Sequence, residues 1–210
     1  RETLSRADIK SLTIPENDGI INLAPIHIYW WGDTKALARD MKDRTKKQID
    51  MNILNASHGW THKFVDEVAY PTAIQAIETD SALEAKITGC ETGLAISQAL
   101  LAAVDEGLGT TLSAFPESAA RQLLGVPDTW TPMWVQFVGY PAESAEAGGQ
   151  RPRPPLGELY HEGSYGRPFR GTEEGVARLM RDKMIQSPAP LSWRGQEVRA
   201  VSRMLGLPQE

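Results

Sequence analysis

A chain of 210 residues has room for one well-buried domain, and a second core would have to be small. Its net charge of −5, with basic residues scattered or in short clusters, excludes the electrostatic footprint of a nucleic-acid binder. The single cysteine, Cys90, rules out an intrachain disulfide and a cysteine-rich metal site. The apolar run within residues 94–104 falls short of a membrane span and Arg1-Glu2-Thr3 does not open a signal peptide, so a cytoplasmic protein without a membrane partner is expected.

Residues 25–31, Pro25-Ile26-His27-Ile28-Tyr29-Trp30-Trp31, are β-branched and aromatic and are bounded by proline and by Gly32-Asp33, which predicts a buried strand. Asp33 is then expected to cap a helix whose thin apolar stripe is Ala36, Leu37, Met41 and Ile49, with lysines and arginines on a solvated outer face. Residues 50–68 lack a clear period and predict an irregular helix and loop bordering a pocket. Residues 72–78 alternate weakly and are expected to form a second strand. Asp80 or Ser81 starts a long helix over residues 82–106. Leu94, Ala99, Leu100, Leu101 and Val104 make that helix apolar nearly all round, so it must be buried on more than one side, with Cys90 as a small core residue. A sheet and a neighbouring helix could bury it, and its small residues (Gly89, Gly93, Ala95, Ser97, Ala99) also suit a dimer interface.

Gly107 and Gly109 stop this helix. A third strand over residues 110–115, a short helix opened by Pro116-Glu117-Ser118 and closed by Gly125, and a fourth strand over residues 132–139 follow. Residues 141–171 are dominated by proline and glycine and predict an extended arm; residues 172–185 and 194–205 return to helix. Interleaved helices and strands give an α+β fold, a mixed sheet flanked by helices around a long buried central helix. The whole of residues 1–210 forms one domain, with the arm and a C-terminal helical extension over residues 172–210.

The order of these elements, with Gly107-Leu108-Gly109, Leu124-Gly125-Val126-Pro127, Gly139-Tyr140-Pro141 and Arg151-Pro152-Arg153 as its signposts, resembles the C-terminal half of the nitroreductase family of flavin enzymes. That family stops a long helix at Gly-Leu-Gly, brings a strand to the flavin ring, ends a short helix in Leu-Gly-(Ile/Val)-Pro and a buried strand in Gly-(Tyr/His)-Pro, and keeps a basic pair near the FMN phosphate. The resemblance implies an α/β/α nitroreductase-like fold, an obligate homodimer joined partly through the long helix, and bound FMN. It further implies NAD(P)H as the reductant of a small nitroaromatic, quinone or enone acceptor. A flavin enzyme that oxidises a biosynthetic intermediate, and a non-catalytic flavin binder or scaffold, are the other readings it leaves open.

The site residues follow position by position. Two arginines at i, i+2 in extended chain project to the same side with guanidinium forks that match phosphate oxygens, and the resemblance assigns Arg151 and Arg153 to the FMN phosphate; a solvated basic loop is the alternative. By resemblance, Leu112, Ser113 and Ala114 bring backbone N–H groups and little bulk to the ring edge. Asn22 and Pro25 match half of an Asn-x-Gln-Pro-Trp motif whose asparagine bonds the ring, and a turn asparagine before a strand fits equally. Family members open with Arg-Arg-Ser-x-Arg; Arg1 and Arg6 are what this N-terminus offers, and the distance to Asn22 looks short for the usual helix pair. His58, Trp60, Phe64 and Tyr70 are candidate linings of the substrate face or simple packing. His58 and His62 lack an evident third partner, so no metal is expected. No catalytic acid or base is required of the protein, because in flavin chemistry the cofactor carries the reactive atom.

Overall fold

A computed structural model describes residues 4–36, 39–144 and 146–208, and these fall into two compact units that meet at residues 141 and 142. In the first unit, α1 (Arg6–Leu12) and α2 (Asp18–Ile21) precede β1 (Ile26–Asp33). Two short helices thus fit where the sequence looked too short for a pair. Ser5 and Asp8 form a reciprocal capping box that starts α1. α3 (Met41–Asp50) begins later than expected: residues 34–36 form a turn, Asp33 Oδ1 accepts from the Lys35 N–H at 3.1 Å, and Asp40 takes the left-handed conformation (φ 55°) before the helix starts. Leu37, placed on the apolar stripe of that helix, lies outside the described residues.

The largest correction concerns residues 72–78, which form no strand. A 3-10 turn (Ala56–His58) leads to α4 (His62–Phe64), a π-helical stretch (Val65–Ile74) and α5 (Gln75–Thr79). Apolar residues at positions 73, 74, 76 and 77 follow the i, i+1, i+3, i+4 pattern of a helix face as well as a weak alternation. Tertiary packing selects the helix: Ile74 is buried with Val65 and Ala69, surrounded by Met41, Ile49, Trp60, Phe64 and Tyr70. Pro71, which has no N–H to give, sits inside the π-helical stretch.

Asp80 caps α6 (Ser81–Asp105) by accepting from the N–H groups of Ala82 and Leu83. β2 (Gly109–Ser113), α7 (Glu117–Leu124) and β3 (Trp130–Gly139) follow. Among the described residues the sheet has three strands in the order β1-β3-β2, all antiparallel, with β3 in the middle. A bulge between Trp30 and Trp31 accommodates Pro132 in that central strand. Val135 and Phe137 point into a core with Leu12, Ile21 and Ala120, flanked by Tyr29, Trp31 and Phe115. Strand alternation turns Gln136 and Val138 to the opposite face, which α6 covers. Gln136 is 1% exposed, yet its amide is satisfied across the whole sheet. Trp30 Nε1 donates to its Oε1 at 3.1 Å on one side, and its Nε2 donates to Thr110 Oγ1 at 3.0 Å on the other.

α6 lies close to β1 because Gly32 carries no side chain; a Cβ there would stand 2.7 Å from Thr88 Cγ2 and 2.8 Å from Met133 Cε. Within this chain, however, α6 is buried on one face only, through Glu84, Thr88, Ile96 and Ala103. Leu94, Leu101 and Val104 are 65%, 68% and 64% exposed, and Cys90 is exposed rather than packed in the core. The expectation of burial on several sides therefore fails for the chain by itself.

The second unit contains α8 (Leu156–Leu159), α9 (Thr172–Arg181) and α10 (Arg194–Leu205). The arm is extended at residues 151–155 but not throughout: it also carries α8 and a reversal closed by the His161–Pro168 bridge. Arg194 anchors α10 by pairing with Glu143 and, at 2.8 Å, with Glu197. These contacts hold its guanidinium pKa above its usual value.

Arg121 is the main polar clamp of the first unit. Its guanidinium stacks 4.8 Å from the Trp31 ring, donates to the carbonyls of Pro127 and Trp130, and pairs with Glu117 at 2.6 Å. It thereby fixes the turn that delivers the chain from α7 to β3. Arg121→Ala is expected to lower unfolding free energy by about 2–4 kcal/mol, the sum expected for lost charged hydrogen bonds and ring stacking. Arg121→Lys should recover less than half of it, because one ammonium cannot serve both carbonyls and the ring together. Urea denaturation of the two variants measures this.

Candidate functional site

The end of β2 is where the geometry is most distinctive. α6 stops as the N–H groups of Gly107 and Leu108 turn back to Val104 and Ala103, and β2 starts at once. The last rung is Ser113 opposite Val135, beyond which the chain leaves the sheet. Ser113 is buried at 9% exposure, Leu112 is half-buried and Ala114 is exposed. Among the described residues, the backbone N–H groups of Ala114 and Phe115 have no backbone partner outside the sheet ladder. Pro116 has no N–H, and the first turn of α7 has no side-chain cap.

Two anchors fix this strand end. Asn17, 1% exposed, sits in the turn between α1 and α2; its Oδ1 accepts the Ile14 N–H at 2.8 Å, and its Nδ2 donates to the Leu12 carbonyl at 3.1 Å and to the Ala114 carbonyl at 3.4 Å. The Phe115 ring packs edge-on against Tyr29 at 5.2 Å and Trp31 at 5.3 Å. Burial pushes the Tyr29 phenol up to about 12, so it stays protonated. What results is a rigid ledge with a methyl-sized side chain and backbone donors that have no backbone partner outside the sheet ladder among the described residues. Such a ledge suits the acceptor-bearing edge of a planar ligand, and the residues present therefore fit a flavin ring edge without requiring any side chain to titrate.

The other expected residues are distributed as follows. Asn22 is exposed at the C-terminal end of α2, and Arg6 is the exposed first residue of α1. Arg1 lies outside the described residues. Arg151 and Arg153 belong to the second unit, exposed in extended chain, and neither guanidinium has a partner among the described residues. The aromatic candidates are packed instead. Trp60 and Phe64 meet edge-to-face at 5.4 Å around the second core, and Tyr70 donates to Glu78 at 3.1 Å beneath the Lys42 ammonium. His58 is held by Asn55 and Ser57, and His62 by Asp50 at 2.8 Å, so the two imidazoles serve separate local contacts. Among the described residues no group of three or more His, Cys, Asp or Glu is arranged to hold a metal.

The role of Asn17 has no signature in the sequence. A turn asparagine between apolar residues was visible in Ile14-Pro15-Glu16-Asn17-Asp18, but its reach to a strand end 97 positions away was not.

No protein-family model and no curated protein matches the chain. Among solved structures, a nitroreductase family protein from Streptococcus pneumoniae TIGR4 superposes with a TM-score of 0.52 at 18% identity, covering 76% of each chain. NfrA2 of B. megaterium aligns over 96% of this chain and 84% of its own, at 15% identity and a TM-score of 0.34. The chain thus has a nitroreductase-like α+β fold, as its sequence resemblance implied.

Removing the Asn17 amide would leave the Ile14 N–H and the Leu12 carbonyl buried without partners. Asn17→Ala should therefore cost about 2–3 kcal/mol of stability, the penalty for orphaned polar groups. Asn17→Asp should not rescue it, because a carboxylate cannot donate to the two carbonyls. Thermal unfolding of both variants checks this.

Proposed function

We propose that this chain is an FMN-dependent oxidoreductase of nitroreductase type, a cytoplasmic homodimer that uses NAD(P)H to reduce a small aromatic or conjugated acceptor. The observation that carries the reading is the ledge at Ala114 and Phe115, whose backbone donors have no partner outside the sheet ladder among the described residues and whose first side chain is a methyl group, set in a nitroreductase-like fold. When bound, the flavin would supply the hydride-accepting and hydride-donating centre. The protein's part is binding and orientation. Ala114 and Phe115 offer N–H groups to the ring edge, Asn17 keeps the Ala114 carbonyl turned away from it, and Ser113 supports the ledge from within the sheet. Arg151 and Arg153 supply the charge that a phosphate dianion requires, with Asn22, Arg1 and Arg6 as further contacts.

The visible spectrum of purified protein, before and after anaerobic NAD(P)H, tests this reading. Yellow protein bleached by NAD(P)H is expected. Yellow protein indifferent to it would shift the reading to the oxidising direction or to a binder, and colourless protein that cannot be reconstituted would end it. In a flavin-loaded protein, Ala114→Leu should lower flavin content while leaving the fold stable, since Ala114 is exposed. Arg151→Ala with Arg153→Ala should weaken FMN retention by about tenfold or more, each charged hydrogen bond contributing roughly 1.5–3 kcal/mol.

The dimer part of the proposal rests on α6. Cys90, Leu94, Ser97, Leu101 and Val104 recur at i, i+4, i+7, i+11 and i+14, so they form one stripe opposite the face packed on the sheet. By length and composition α6 could also cross a bilayer. The packing of Thr88, Ile96 and Ala103 against the sheet favours a protein partner for the outer stripe. Leu101→Glu should yield folded monomer in sedimentation at micromolar concentration, because Leu101 contributes nothing to the core of its own chain. A monomeric unmodified protein would contradict the proposed dimer.

A further inference from the structure

We propose that His27 is an acid-sensitive lock on the candidate site: neutral, it fastens the turn between α2 and β1, and protonated it releases α2 together with the Asn17 that holds the Ala114 carbonyl. The lock is a property of the chain and does not rest on flavin being the ligand.

The geometry fixes where the proton sits. His27 stands opposite Phe137 in the sheet, and its ring meets that buried ring edge-on at 4.9 Å. Its Nε2 lies 3.0 Å from the Ala24 carbonyl oxygen, which can only accept, so Nε2 carries the hydrogen and Nδ1 holds the lone pair. Nδ1 is buried and has no hydrogen-bond partner among the described residues. A second proton would therefore create a buried donor without an acceptor and a charge without a counter-charge.

The surrounding elements supply no carboxylate to relieve it. β3 contains no charged residue, and Tyr29, the next side chain on this face of β1, stays protonated. Asp8 of α1 is engaged with Ser5, while Arg6, Lys10, Glu16 and Asp18 are exposed. Glu117 and Arg121 of α7 pair with each other, and α6 packs on the opposite face of the sheet. Burial holds the imidazole below its ordinary value, against the pull of the Ala24 and Ile21 carbonyls. A released His27 protonates near the ordinary value of about 6.5 and the locked one at a lower pH, so the lock is at full strength above about pH 6.5 and weakens as the pH falls below it.

Coupling to the site runs through consecutive hydrogen bonds. The Ala24 N–H donates to the Ile20 carbonyl at 3.0 Å, and the N–H groups of Ile20 and Ile21 donate to the Asn17 carbonyl at 3.1 and 2.9 Å. Asn17 Nδ2 in turn reaches the Ala114 carbonyl at 3.4 Å. The turn has no slack to absorb a displaced ring, since a Cβ on Gly139 would stand 2.8 Å from Pro25 Cδ.

Hydrogen exchange of the purified full chain at about pH 7 and about pH 5, corrected for intrinsic rates, tests the lock. On acidification the Ile20, Ile21 and Ala24 amides should lose about tenfold in protection relative to the Phe137 amide of the central strand. In an NMR titration the Ala114 carbonyl carbon should shift with the same midpoint as the His27 ring. His27→Gln keeps a donor for the Ala24 carbonyl and cannot take the charge, so its α2 protection should be the same at both pH values. The proposal is overturned if α2 keeps its protection relative to Phe137 on acidification of the unmodified protein, if the Ala114 carbonyl does not follow His27, or if His27→Gln loses protection as the unmodified protein does. The first two readouts need no variant. None depends on flavin, so the lock and the proposed function fail separately.

Discussion

α6, 25 residues long, packs one face on the sheet and leaves a second, largely apolar stripe without a cover in its own chain. That constraint organises the first unit. The inner face is committed to the sheet through Thr88, Ile96 and Ala103, and the missing side chain of Gly32 sets how closely it can approach. The outer stripe from Cys90 to Val104 is left bare, and in the proposed dimer a second copy covering it would gain about 25 cal/mol for each Å² of apolar surface removed from water. A partner on α6 would also sit beside the short connection from α6 to β2, and hence near the strand that ends in the Ala114 ledge.

The same helix covers the one fully buried amide of the central strand. Gln136 costs little under α6 because Trp30 and Thr110 complete its hydrogen bonds, and in doing so it ties β1 and β2 to β3 on that face. On the other face, Asn17 and Arg121 secure the segments that enter and leave the sheet. β2 can then end abruptly after Ser113, and among the described residues its following N–H groups have no backbone partner outside the sheet ladder, which leaves them to water or a ligand.

Much of this organisation was legible in the residues. β1, β2, β3, α6, α7 and α10 follow from β-branched runs, caps and glycine stops, because local chemistry and tertiary packing agree there. They disagree at residues 72–78, where Ile74 and Ile77 serve a helix face, and before α3, where the left-handed Asp40 delays the helix. At Cys90, apolar neighbours predict burial, but its position on the helix puts it on the stripe facing away from the sheet. In the candidate site, the consecutive residues Leu112, Ser113 and Ala114 were readable as a strand end. Asn17 and Arg121 were not, since their roles depend on contacts between segments that sequence alone does not pair. Arg151 and Arg153 stand in the extended, exposed chain that their Pro-rich setting predicts.

If the outer stripe of α6 is an interface, as proposed, Cys90 reports on it directly. In the single chain this thiol is exposed, so nothing in the fold of one copy should slow its modification. The rate of reaction with a thiol reagent, measured across a dilution series of native protein, separates the two cases. An interface on this stripe predicts slow modification at micromolar concentration that accelerates on dilution, as copies part and the stripe opens. Fast modification at every concentration would contradict it.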